Sequence, residues 1–495
     1  MEKTKIMFIN PPQSVDNKFK VNNLKFPLGF LYMADYLEKN GFNVKILDCP
    51  VYYKKRKKVN GTTDKIGSYP EEIKAEIKEY NPDIIGVSCA FTTYEKDSFE
   101  LIDLIRDMEK QINKKFLLVV GGAHSSAVPK YVMRNKKIDI AVIGEGEKTI
   151  LEIAQKFEQK KDLANIKGTA VRVKGKIKIN KPREFIEEID QLTPAWHLID
   201  LNVYFNHLDN SRATLRNPSV DIITSRGCPG NCVFCGNHVI WGRCWRGASP
   251  KKVVDDIEFL VKKYGVKQFR IQDDNLTLKK DRIIKICEEI IKRKIDIKWD
   301  TPNGVAFWTL DREVLSKMKD AGFYRITFGI ESASPRTQRY IRKIVNLDKI
   351  NELISICHEL GIWVCSTFII GFPYETIEDI EQTKKFIINS RLNFPFVYTA
   401  QPIYGTDLYN DFKKENLLSE IKFASNVVNT QYDTLHFTNS ELNNLRNQIV
   451  KTFYVKKIIS YVNPSVFYKD FLSKIKSFED ARYILKSIYM LTLNF

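Results

Sequence analysis

Three cysteines stand close together near the middle of the chain, at a spacing that suits a metal site. Cys228, Cys232 and Cys235 form a C-x3-C-x2-C pattern in the segment Ser-Arg-Gly-Cys-Pro-Gly-Asn-Cys-Val-Phe-Cys-Gly. A 4Fe-4S cluster normally takes four thiolates, so three thiolates on one tight loop can hold three of its irons. No fourth cysteine follows at the expected spacing, which leaves one iron open. An open coordination position distinguishes a reactive metal site from a closed structural one.

A zinc knuckle is the alternative that the same cysteines allow. Structural zinc takes four ligands, so it would need one further cysteine or histidine nearby. The local candidates are Cys244 and His238, and neither stands at a spacing typical of zinc sites. The pattern therefore favours the cluster.

The cysteine segment is similar to the signature of the radical S-adenosylmethionine (SAM) enzymes. The resemblance implies that Cys228, Cys232 and Cys235 are both metal ligands and catalytic residues. It implies that the open iron chelates SAM, and that an electron from the cluster cleaves SAM to a 5′-deoxyadenosyl radical. It also implies an external low-potential electron donor, such as flavodoxin or ferredoxin, and an anaerobic or microaerobic host.

Composition and length are those of an ordinary globular protein. The chain has 495 residues, of which 43% are hydrophobic and 28% charged, and this length predicts two to four domains. No apolar run reaches the roughly 18 residues of a spanning helix, and Met1–Ile6 has no secretory character. Nine cysteines without a disulfide framework suit a reducing cytosol. We therefore expect a cytoplasmic protein without a membrane span.

The basic charge raises the question of nucleic acid. The formal net charge is +18, but most of the excess lysine is spread among isoleucine and asparagine in helical segments. The sharpest basic run, residues 54–58, is predicted to be a solvated loop. A nucleic-acid-binding metalloprotein, which would bind in a salt-sensitive way, is therefore only a remote alternative.

Residues 1–155 alternate between strand and helix, with helices predicted at Leu28–Lys39 and Phe99–Gln111. This alternation predicts a doubly wound parallel sheet, whose ligands bind beyond the carboxyl ends of the strands. Two of those ends continue into Gly-rich loops, at residues 121–124 and 144–147, and neither is G-x-G-x-x-G. The predicted strands are Lys5–Asn10, Asn43–Leu47, Asp83–Ser88, Phe116–Val120 and Ile138–Ile143.

The order of these segments resembles the cobalamin-binding domain found before the catalytic domain in one large group of radical SAM enzymes. The resemblance is carried by Pro-Leu-Gly at 27–29, Val-Gly-Gly-x-His at 120–124 and Gly-Glu-Gly-Glu at 144–147. It implies that loops at the strand ends hold the corrin, where glycine permits close approach of a flat ring. The implied cofactor-binding residues are Ser88, Gly121, Gly122, His124, Gly144, Glu145, Gly146 and Glu147.

Two alternatives remain at this domain. The motif D-x-H-x-x-G is missing, and Asp48-Cys49-Pro50 stands where it would begin, so no histidine is placed there as a lower cobalt ligand. The domain could therefore be a relic that keeps the fold without cobalamin. His124 could cap a loop or a helix instead of contacting the cofactor.

The remaining chain is predicted in three parts. Residues 156–215 form a connector with a hairpin at Gly168–Ile179, residues 216–405 form the radical SAM core, and residues 406–495 are helical. Six strand–helix repeats in the core predict an open, partial (β/α)6 barrel with its site at the carboxyl ends of the strands. The predicted strands are Val220–Thr224, Gln268–Ile271, Ile297–Asp300, Arg325–Ile330, Trp363–Ile370 and Phe396–Ala400.

Several strand ends of the core offer groups that SAM needs, and the resemblance assigns them as SAM-binding residues. Phe234 would meet adenine or pack beneath its loop. Asp273 and Asp274 would accept from the SAM ammonium, a charge-assisted bond, or cap a helix. Glu331, in Gly-Ile-Glu-Ser, would bind the ribose or begin a cap, and Gly371, in Gly-Phe-Pro, would approach adenine or form a turn.

The resemblance points to a cobalamin-dependent radical SAM enzyme with three cofactors: a 4Fe-4S cluster, SAM and cobalamin. The leading hypothesis is a methyltransferase that acts on an unactivated carbon of an unidentified substrate. The alternative is a cyclase or rearrangement enzyme of the same domain order that transfers no methyl group. Arg243, Arg246, Ser249 and Tyr404 are secondary candidates that would contact substrate or, for the first three, pin the cysteine segment.

Overall fold

The structure of the protein is a computed structural model. It describes residues 3–16, 24–211, 213–418 and 430–492. The chain separates into two compact units. The first comprises Met1–Ser211 and Gly236–Gly242, and the second comprises Arg212–Cys235 and Arg243–Phe495. The predicted division into four parts stays a prediction.

The first unit alternates strands and helices along the chain. Its strands are β1 Lys5–Asn10, β2 Gln13–Asp16, β3 Asn43–Asp48, β4 Arg56–Lys58, β5 Thr63–Ile66, β6 Ile84–Ser88, β7 Leu117–Gly121, β8 Ile140–Val142, β9 Thr169–Val173 and β10 Lys176–Ile179. Its helices are α1 Leu28–Glu38, α2 Pro70–Tyr80, α3 Glu95–Ile112, α4 Ala123–Ala127, α5 Pro129–Val132, α6 Glu147–Glu158, α7 Leu201–Ser211 and α8 His238–Trp241.

The main sheet of this unit has the order β10-β9-β8-β7-β6-β1-β3. Strands β3, β1, β6, β7 and β8 are parallel, which confirms the predicted doubly wound sheet. The predicted hairpin is confirmed as β9 and β10, which extend the same sheet by antiparallel pairing. The strand order reverses between β1 and β6, and such a reversal opens a ligand crevice at the carboxyl ends of the two strands.

A second, three-stranded sheet with the order β2-β5-β4 was not predicted. The basic run at 54–58 was predicted to be a loop, and this was wrong for residues 56–58, which form strand β4. Arg56 is paired with Asp64 on the neighbouring strand, and Lys55 is paired with Glu72. Ion pairs and strand pairing, rather than apolar alternation, hold this sheet.

The second unit carries the other strands and helices. Its strands are β11 Ser219–Ile222, β12 Ser225–Arg226, β13 Arg246–Gly247, β14 Gln268–Ile271, β15 Lys298–Asp300, β16 Phe323–Glu331, β17 Trp363–Ile370 and β18 Phe394–Thr399. Its helices are α9 Pro250–Tyr264, α10 Lys280–Lys292, α11 Arg312–Asp320, α12 Pro335–Tyr340, α13 Leu347–Glu359, α14 Ile377–Asn389, α15 Asp407–Lys414, α16 Asn439–Ser460, α17 Pro464–Asp470 and α18 Phe478–Thr492.

Six parallel strands of this unit form one open sheet in the order β11-β14-β15-β16-β17-β18. This confirms the partial barrel, and each predicted core strand corresponds to one observed strand. Large side chains on neighbouring strands are fully buried, as expected for a parallel sheet covered by helices; examples are Phe269 of β14, Trp299 of β15 and Phe328 of β16.

The region after the barrel is helical, as predicted. Helix α16 packs against the edge strand β18, where Arg446 Nε donates to the Val397 carbonyl at 3.0 Å. Tyr483 of α18 packs against Tyr324 and Trp363 of β16 and β17. Within the described ranges, no helix combines the length and hydrophobicity that a membrane crossing requires.

Candidate active site

The cysteine loop, residues 227–235, follows β12 in the second unit. A side chain added at Gly230 would place its Cβ 3.4 Å from Cys228 Sγ and 3.8 Å from Cys232 Sγ. The two sulfurs therefore face the same space beside Gly230. Arg243 Nη1 donates to the Gly230 carbonyl at 2.8 Å, so this arginine pins the loop.

The side chains of this loop are of the type that binds an iron–sulfur cluster, whose protein ligands are thiolates. In the parts of the chain that the structure describes, no three His, Cys, Asp or Glu side chains lie close enough to share a metal ion. In a 4Fe-4S cluster each cysteine binds a different iron, so its three thiols need not converge on one ion. The donor set, three thiols on one loop, fits a 4Fe-4S cluster.

The two aspartates after β14 hold the start of the cysteine loop. Asp273 is buried and accepts hydrogen bonds from the Thr224 amide, the Thr224 hydroxyl and the Ser225 hydroxyl, each at 2.6 Å. Burial, reinforced by the charge of Asp273, raises the pKa of Asp274 to about 6, while the Gly227 amide donates to it and acts in the opposite direction. Contact of either carboxylate with SAM stays a prediction.

Asn275 is a site residue that the sequence reasoning did not single out. Its Nδ2 lies 3.9 Å from Cys228 Sγ, and its Oδ1 accepts from the Ala306 amide at 3.1 Å. The only sequence signal is its place directly after the aspartate pair at a strand end. A donor to a ligating sulfur is one of the means by which proteins set cluster potentials.

Glu331, at the end of β16, is held in an unusual conformation. Its φ is +65°, a left-handed value that side chains rarely adopt and that often marks functional sites. Oε1 is 2.9 Å from Lys343 Nζ, and Oε2 accepts from the Thr367 hydroxyl at 3.1 Å. A Cβ at Gly329 would lie 2.7 Å from Lys343 Nζ, so this glycine leaves room for the ion pair.

Lys343 brings a positive charge to the cysteine loop. The Val233 amide of the loop donates to the Ile341 carbonyl at 3.3 Å, which holds the segment carrying Lys343 beside the loop. Burial raises the pKa of the Cys232 thiol, and the Lys343 charge opposes this rise. Burial alone would lower the pKa of Lys343. The charge and the hydrogen bond of Glu331 have a larger, opposite effect, so the pKa is raised. With 78 lysines and arginines in the chain, no sequence signal distinguished this one.

The Gly-Phe-Pro segment after β17 is organised by a third residue that sequence reasoning missed, Glu375. Its Oε2 accepts from the Gly371 amide at 2.6 Å and from the Phe372 amide at 3.3 Å. Gly371 has a φ of +85°, and a Cβ there would lie 2.9 Å from the Leu442 side chain. The Phe234 ring packs against Phe372 at 6.1 Å between centroids. Packing beneath the loop is thus one role of Phe234, and adenine contact stays a prediction.

Glu375 predicts a pH dependence of stability. Burial raises the pKa of Glu375 to about 8, against an unfolded value of 4.5. Between these values the folded protein keeps a proton that unfolding releases, so the free energy of unfolding should fall as pH rises. From pH 6 to 8 this contribution is about 2 kcal/mol. Urea denaturation of the apoprotein at both pH values should show that Glu375→Gln removes it.

The matched control for this experiment is Glu381→Gln, an exposed glutamate of α14 that pairs with Lys384. The free energy of unfolding of the Glu381→Gln protein should fall between pH 6 and 8 as much as that of the parent protein. Equal dependence in parent and Glu375→Gln proteins would show that Glu375 does not hold the proton.

The secondary candidates lie on the same unit and have structural partners. Ser249 caps α9 by accepting from the Lys252 amide at 3.2 Å. Arg246 is buried in β13, which pairs with β12 at Arg226. The ring of Tyr404 lies 4.7 Å from that of Tyr409.

In the first unit, the predicted cofactor loops follow β6, β7 and β8. Ser88 and Gly121 are register partners at the adjacent ends of β6 and β7, next to the crevice at the strand reversal. A Cβ at Gly121 would meet only Val142, at 3.8 Å, and one at Gly144 only the Ile240 carbonyl, at 3.8 Å. These two glycines leave open space that a flat ring could enter, and in this respect the loops fit cobalamin.

The other two glycines are enclosed by the protein itself. A Cβ at Gly122, where φ is +119°, would lie 2.6 Å from the Cys89 carbonyl oxygen. A Cβ at Gly146 would clash with the Met33 sulfur of α1. Backbone packing and the left-handed φ therefore already require glycine at position 122, whereas a side chain at position 146 would have to displace the flexible Met33 side chain. Contact of either glycine with cobalamin stays a prediction.

His124 belongs to a buried polar group. Its Nδ1 is 3.0 Å from the Thr92 hydroxyl, and its Nε2 is 2.7 Å from Glu95 Oε2. Tyr131 donates to the other oxygen of Glu95 at 3.1 Å. This arrangement favours the structural alternative for His124, which ties the loop after β7 to the start of α3.

The glutamates of the second Gly-rich loop are also buried. Glu145 Oε2 accepts from the Ile186 amide at 2.8 Å, which fastens the loop to the segment before α7. Glu147 is the first residue of α6, where a carboxylate stabilises the positive end of the helix. Neither role excludes the predicted contact with cobalamin.

The nine cysteines fall into two groups. The three cysteines of the loop, which are the predicted cluster ligands, are partly accessible, and Cys244 is exposed. The other five are buried, and burial raises the pKa of each of their thiols: Cys49, Cys89, Cys287, Cys357 and Cys365.

Two family models match the chain. Residues 17–154 match the B12 binding domain, and residues 222–387 match the radical SAM superfamily. The first domain brings cobalamin as its cofactor, and the second brings a 4Fe-4S cluster and SAM.

Known proteins are similar over most of the chain. An uncharacterized methyltransferase of Pyrococcus horikoshii is 30% identical, covering 98% of this chain and 97% of that protein. Cytidylyl-2-hydroxyethylphosphonate methyltransferase of Streptomyces wedmorensis is 29% identical, over 82% of this chain and 81% of that protein. The structure of the methyltransferase TsrM of Kitasatospora setae, with cobalamin and a [4Fe-4S] cluster bound, superposes with a TM-score of 0.69 at 16% identity, covering 99% of each chain. The chain therefore belongs to the cobalamin-dependent radical SAM methyltransferases, with a B12-binding domain ahead of the radical SAM domain.

Proposed function

We propose that this enzyme methylates an unactivated carbon of its substrate. The observation that carries the proposal is the cysteine loop, which holds three thiols at the carboxyl end of an open parallel barrel in a chain that also has a B12-binding domain. When bound, the cluster and SAM supply a radical that can remove a hydrogen atom from such a carbon, and cobalamin supplies the methyl group.

The residues of the second unit would act as follows. Cys228, Cys232 and Cys235 would hold the cluster. Asp273 would fix the residues that lead into the loop, through Thr224 and Ser225, and Asp274 would accept from the Gly227 amide at the start of the loop. Asn275 donates to the Cys228 sulfur. The residues proposed to bind SAM are Phe234, Asp273, Asp274, Glu331 and Gly371.

The Glu331–Lys343 pair places opposite charges beside the loop. SAM carries a carboxylate, an ammonium and ribose hydroxyls, so a cation and a carboxylate side by side can bind it by charge-assisted hydrogen bonds. We assign the ribose hydroxyls to Glu331. Lys343 would hold the Glu331 carboxylate in position through their ion pair and add positive potential at the thiols of the cysteine loop.

The first unit is proposed to hold cobalamin at the crevice beside Ser88, with Gly121 and Gly144 giving the ring close approach. The glycines enclosed by Cys89 and Met33 would shape the loops from within. His124 would position the loop after β7 through its contacts with Thr92 and Glu95.

One assay tests the reaction. Protein purified and reconstituted without oxygen is incubated with SAM and a low-potential reductant, with and without cobalamin, and 5′-deoxyadenosine and S-adenosylhomocysteine are measured together. Methyl transfer predicts both products, with S-adenosylhomocysteine dependent on cobalamin. Deoxyadenosine without S-adenosylhomocysteine in the cobalamin-loaded enzyme would contradict methyl transfer, because SAM must first methylate the cobalamin, and would favour the cyclase or rearrangement reaction.

Gly121→Val tests the corrin crevice separately from the reaction. A Cβ at this position meets only Val142, at an ordinary contact distance of 3.8 Å, and the valine side chain would enter the proposed corrin space. Overpacking of this kind should lower cobalamin retention by about tenfold or more. The visible spectrum of the reconstituted protein measures this, and the thermal unfolding temperature should barely change.

Gly61→Val is the matched control, because a Cβ there meets nothing within 4 Å. It should retain cobalamin like the parent protein. Full retention in the Gly121→Val protein would place the corrin elsewhere.

A further inference from the structure

The C-terminal helices carry a concentration of exposed apolar side chains. Residues 455–489 hold ten large apolar side chains with exposed fractions between 42% and 84%, whereas the rest of the described chain holds fourteen comparable ones. We call the ten the C-terminal apolar surface. They are Val455, Ile458, Ile459, Val462, Tyr468, Leu472, Phe478, Leu485, Ile488 and Tyr489.

These side chains follow helical spacing. In α16, Val455, Ile458 and Ile459 stand at positions i, i+3 and i+4, so they share one face of the helix. In α18, Leu485 and Ile488 repeat the i, i+3 spacing, and Tyr489 follows at i+4. Each helix thus presents an apolar stripe to solvent besides the stripe that it buries.

The helices that bear this surface are anchored on one common core. The ring of Tyr461, after α16, lies 5.7 Å from Phe471 after α17. Phe471 lies 5.8 Å from Trp363 of β17, and Tyr483 of α18 lies 5.9 Å from the same tryptophan. The exposed stripes therefore lie on the outer side of helices that are packed on the barrel.

The charges around the surface are mainly positive. Residues 451–489 contain eight lysines and arginines against three aspartates and glutamates. One of the three acids, Asp470, is buried and is paired with Arg391 and Lys457. Four of the lysines are exposed, namely Lys451, Lys456, Lys469 and Lys476.

The combination of apolar stripes and lysines restricts which kind of partner could bind the C-terminal apolar surface. A second copy of this chain would bring like charges together, which opposes association. An anionic bilayer offers both partners at once, since acyl chains accept the apolar side chains and lipid phosphates attract lysine. Helices that lie in the headgroup region need not span the membrane.

We propose that the C-terminal apolar surface binds the surface of an anionic lipid bilayer. The apolar side chains enter the boundary between headgroups and acyl chains, and the four exposed lysines contact lipid phosphates. The proposal concerns the location of the enzyme and is independent of the reaction proposed above.

Vesicle flotation of the full-length protein tests the proposal. The protein should float with vesicles of phosphatidylcholine and phosphatidylglycerol, should not float with phosphatidylcholine alone, and should be released by high salt. Ile458→Ser combined with Ile459→Ser should reduce the floated fraction by about tenfold or more. Phe259→Ser combined with Ile291→Ser is the control, since both residues are exposed apolar positions on α9 and α10 of the same unit.

Three outcomes would overturn the proposal. The protein could fail to float with anionic vesicles, could float equally with neutral ones, or could float unchanged when Ile458 and Ile459 are serine. Sedimentation equilibrium without lipid adds one more: a dimer that the double substitution disrupts would show that a second copy covers this surface.

Discussion

Replacing Cys232 with alanine is expected to remove the cluster and to abolish 5′-deoxyadenosine formation. Only three thiolates stand at cluster spacing, so the loss of one leaves a 4Fe-4S cluster with two protein ligands. Loss of an outer-shell partner of a metal site already costs 10- to 100-fold in metal affinity or activity. A lost ligand should therefore lower deoxyadenosine formation by more than about 100-fold. Iron and sulfide analysis, together with the assay of deoxyadenosine, measures both effects.

Cys244→Ala is the control for this substitution. Cys244 is exposed, is close in sequence to the loop and lies outside the C-x3-C-x2-C pattern. Its replacement should leave iron content and deoxyadenosine formation unchanged. Loss of iron in the Cys244→Ala protein would make this thiol a fourth ligand, and retained iron in the Cys232→Ala protein would contradict the assignment of the cluster.

Glu331→Gln is expected to weaken SAM binding by roughly 10- to 100-fold while the cluster stays in place. The substitution replaces a charged acceptor with a neutral one, and a hydrogen bond to a charged group contributes about 1.5–3 kcal/mol. It also removes the partner of Lys343, whose ammonium group then competes for other acceptors. Equilibrium binding of SAM to the reconstituted protein and the electron paramagnetic resonance spectrum of the reduced cluster separate affinity from cluster content.

Glu359→Gln is a matched control in the same unit. Glu359 is also ion-paired, with Arg312, but both side chains are 57% exposed, and exposed pairs contribute little. SAM affinity should not change. If Glu331→Gln binds SAM like the parent protein, the carboxylate serves only to hold Lys343, and the ribose must be bound elsewhere.

The barrel strands could be predicted because their pattern is local. Each is a short run rich in β-branched and aromatic residues between helical segments, and β14 and β17 were predicted with the bounds that the structure shows. The small sheet of β2, β5 and β4 was missed for the opposite reason. Segments such as Thr63–Ile66 show no apolar alternation, and pairing with β2, which is distant in sequence, and with the neighbouring strand β4 holds them.

The candidate site was predictable only in part. Spacing alone identifies the cysteines, because three ligands within eight residues must share a loop. Lys343 and Glu375 have no comparable signal, since their importance depends on contacts with the cysteine loop and with the turn after β17. Tertiary structure brings these groups together, and contacts between residues distant in sequence leave no local pattern from which they could be predicted.

The glycines at the strand ends also show how far the sequence alone allows prediction. Glycine at a strand end indicates close approach, but the sequence does not say what approaches. At Gly122 and Gly146 the neighbour is the protein's own Cys89 backbone and Met33 side chain, whereas Gly121 and Gly144 face open space. Likewise, the oxygens of Asp273 accept from Thr224 and Ser225, the residues that lead into the cysteine loop.

The unequal burial of the nine thiols has a practical consequence for anyone handling the protein in air. Alkylation and oxidation require an accessible thiolate, which the five buried cysteines do not provide. Damage will therefore concentrate on the cluster cysteines and Cys244. An alkylating reagent used on folded apoprotein should count these four, and the same count after reconstitution should fall to one, which gives a measure of cluster occupancy that needs no turnover.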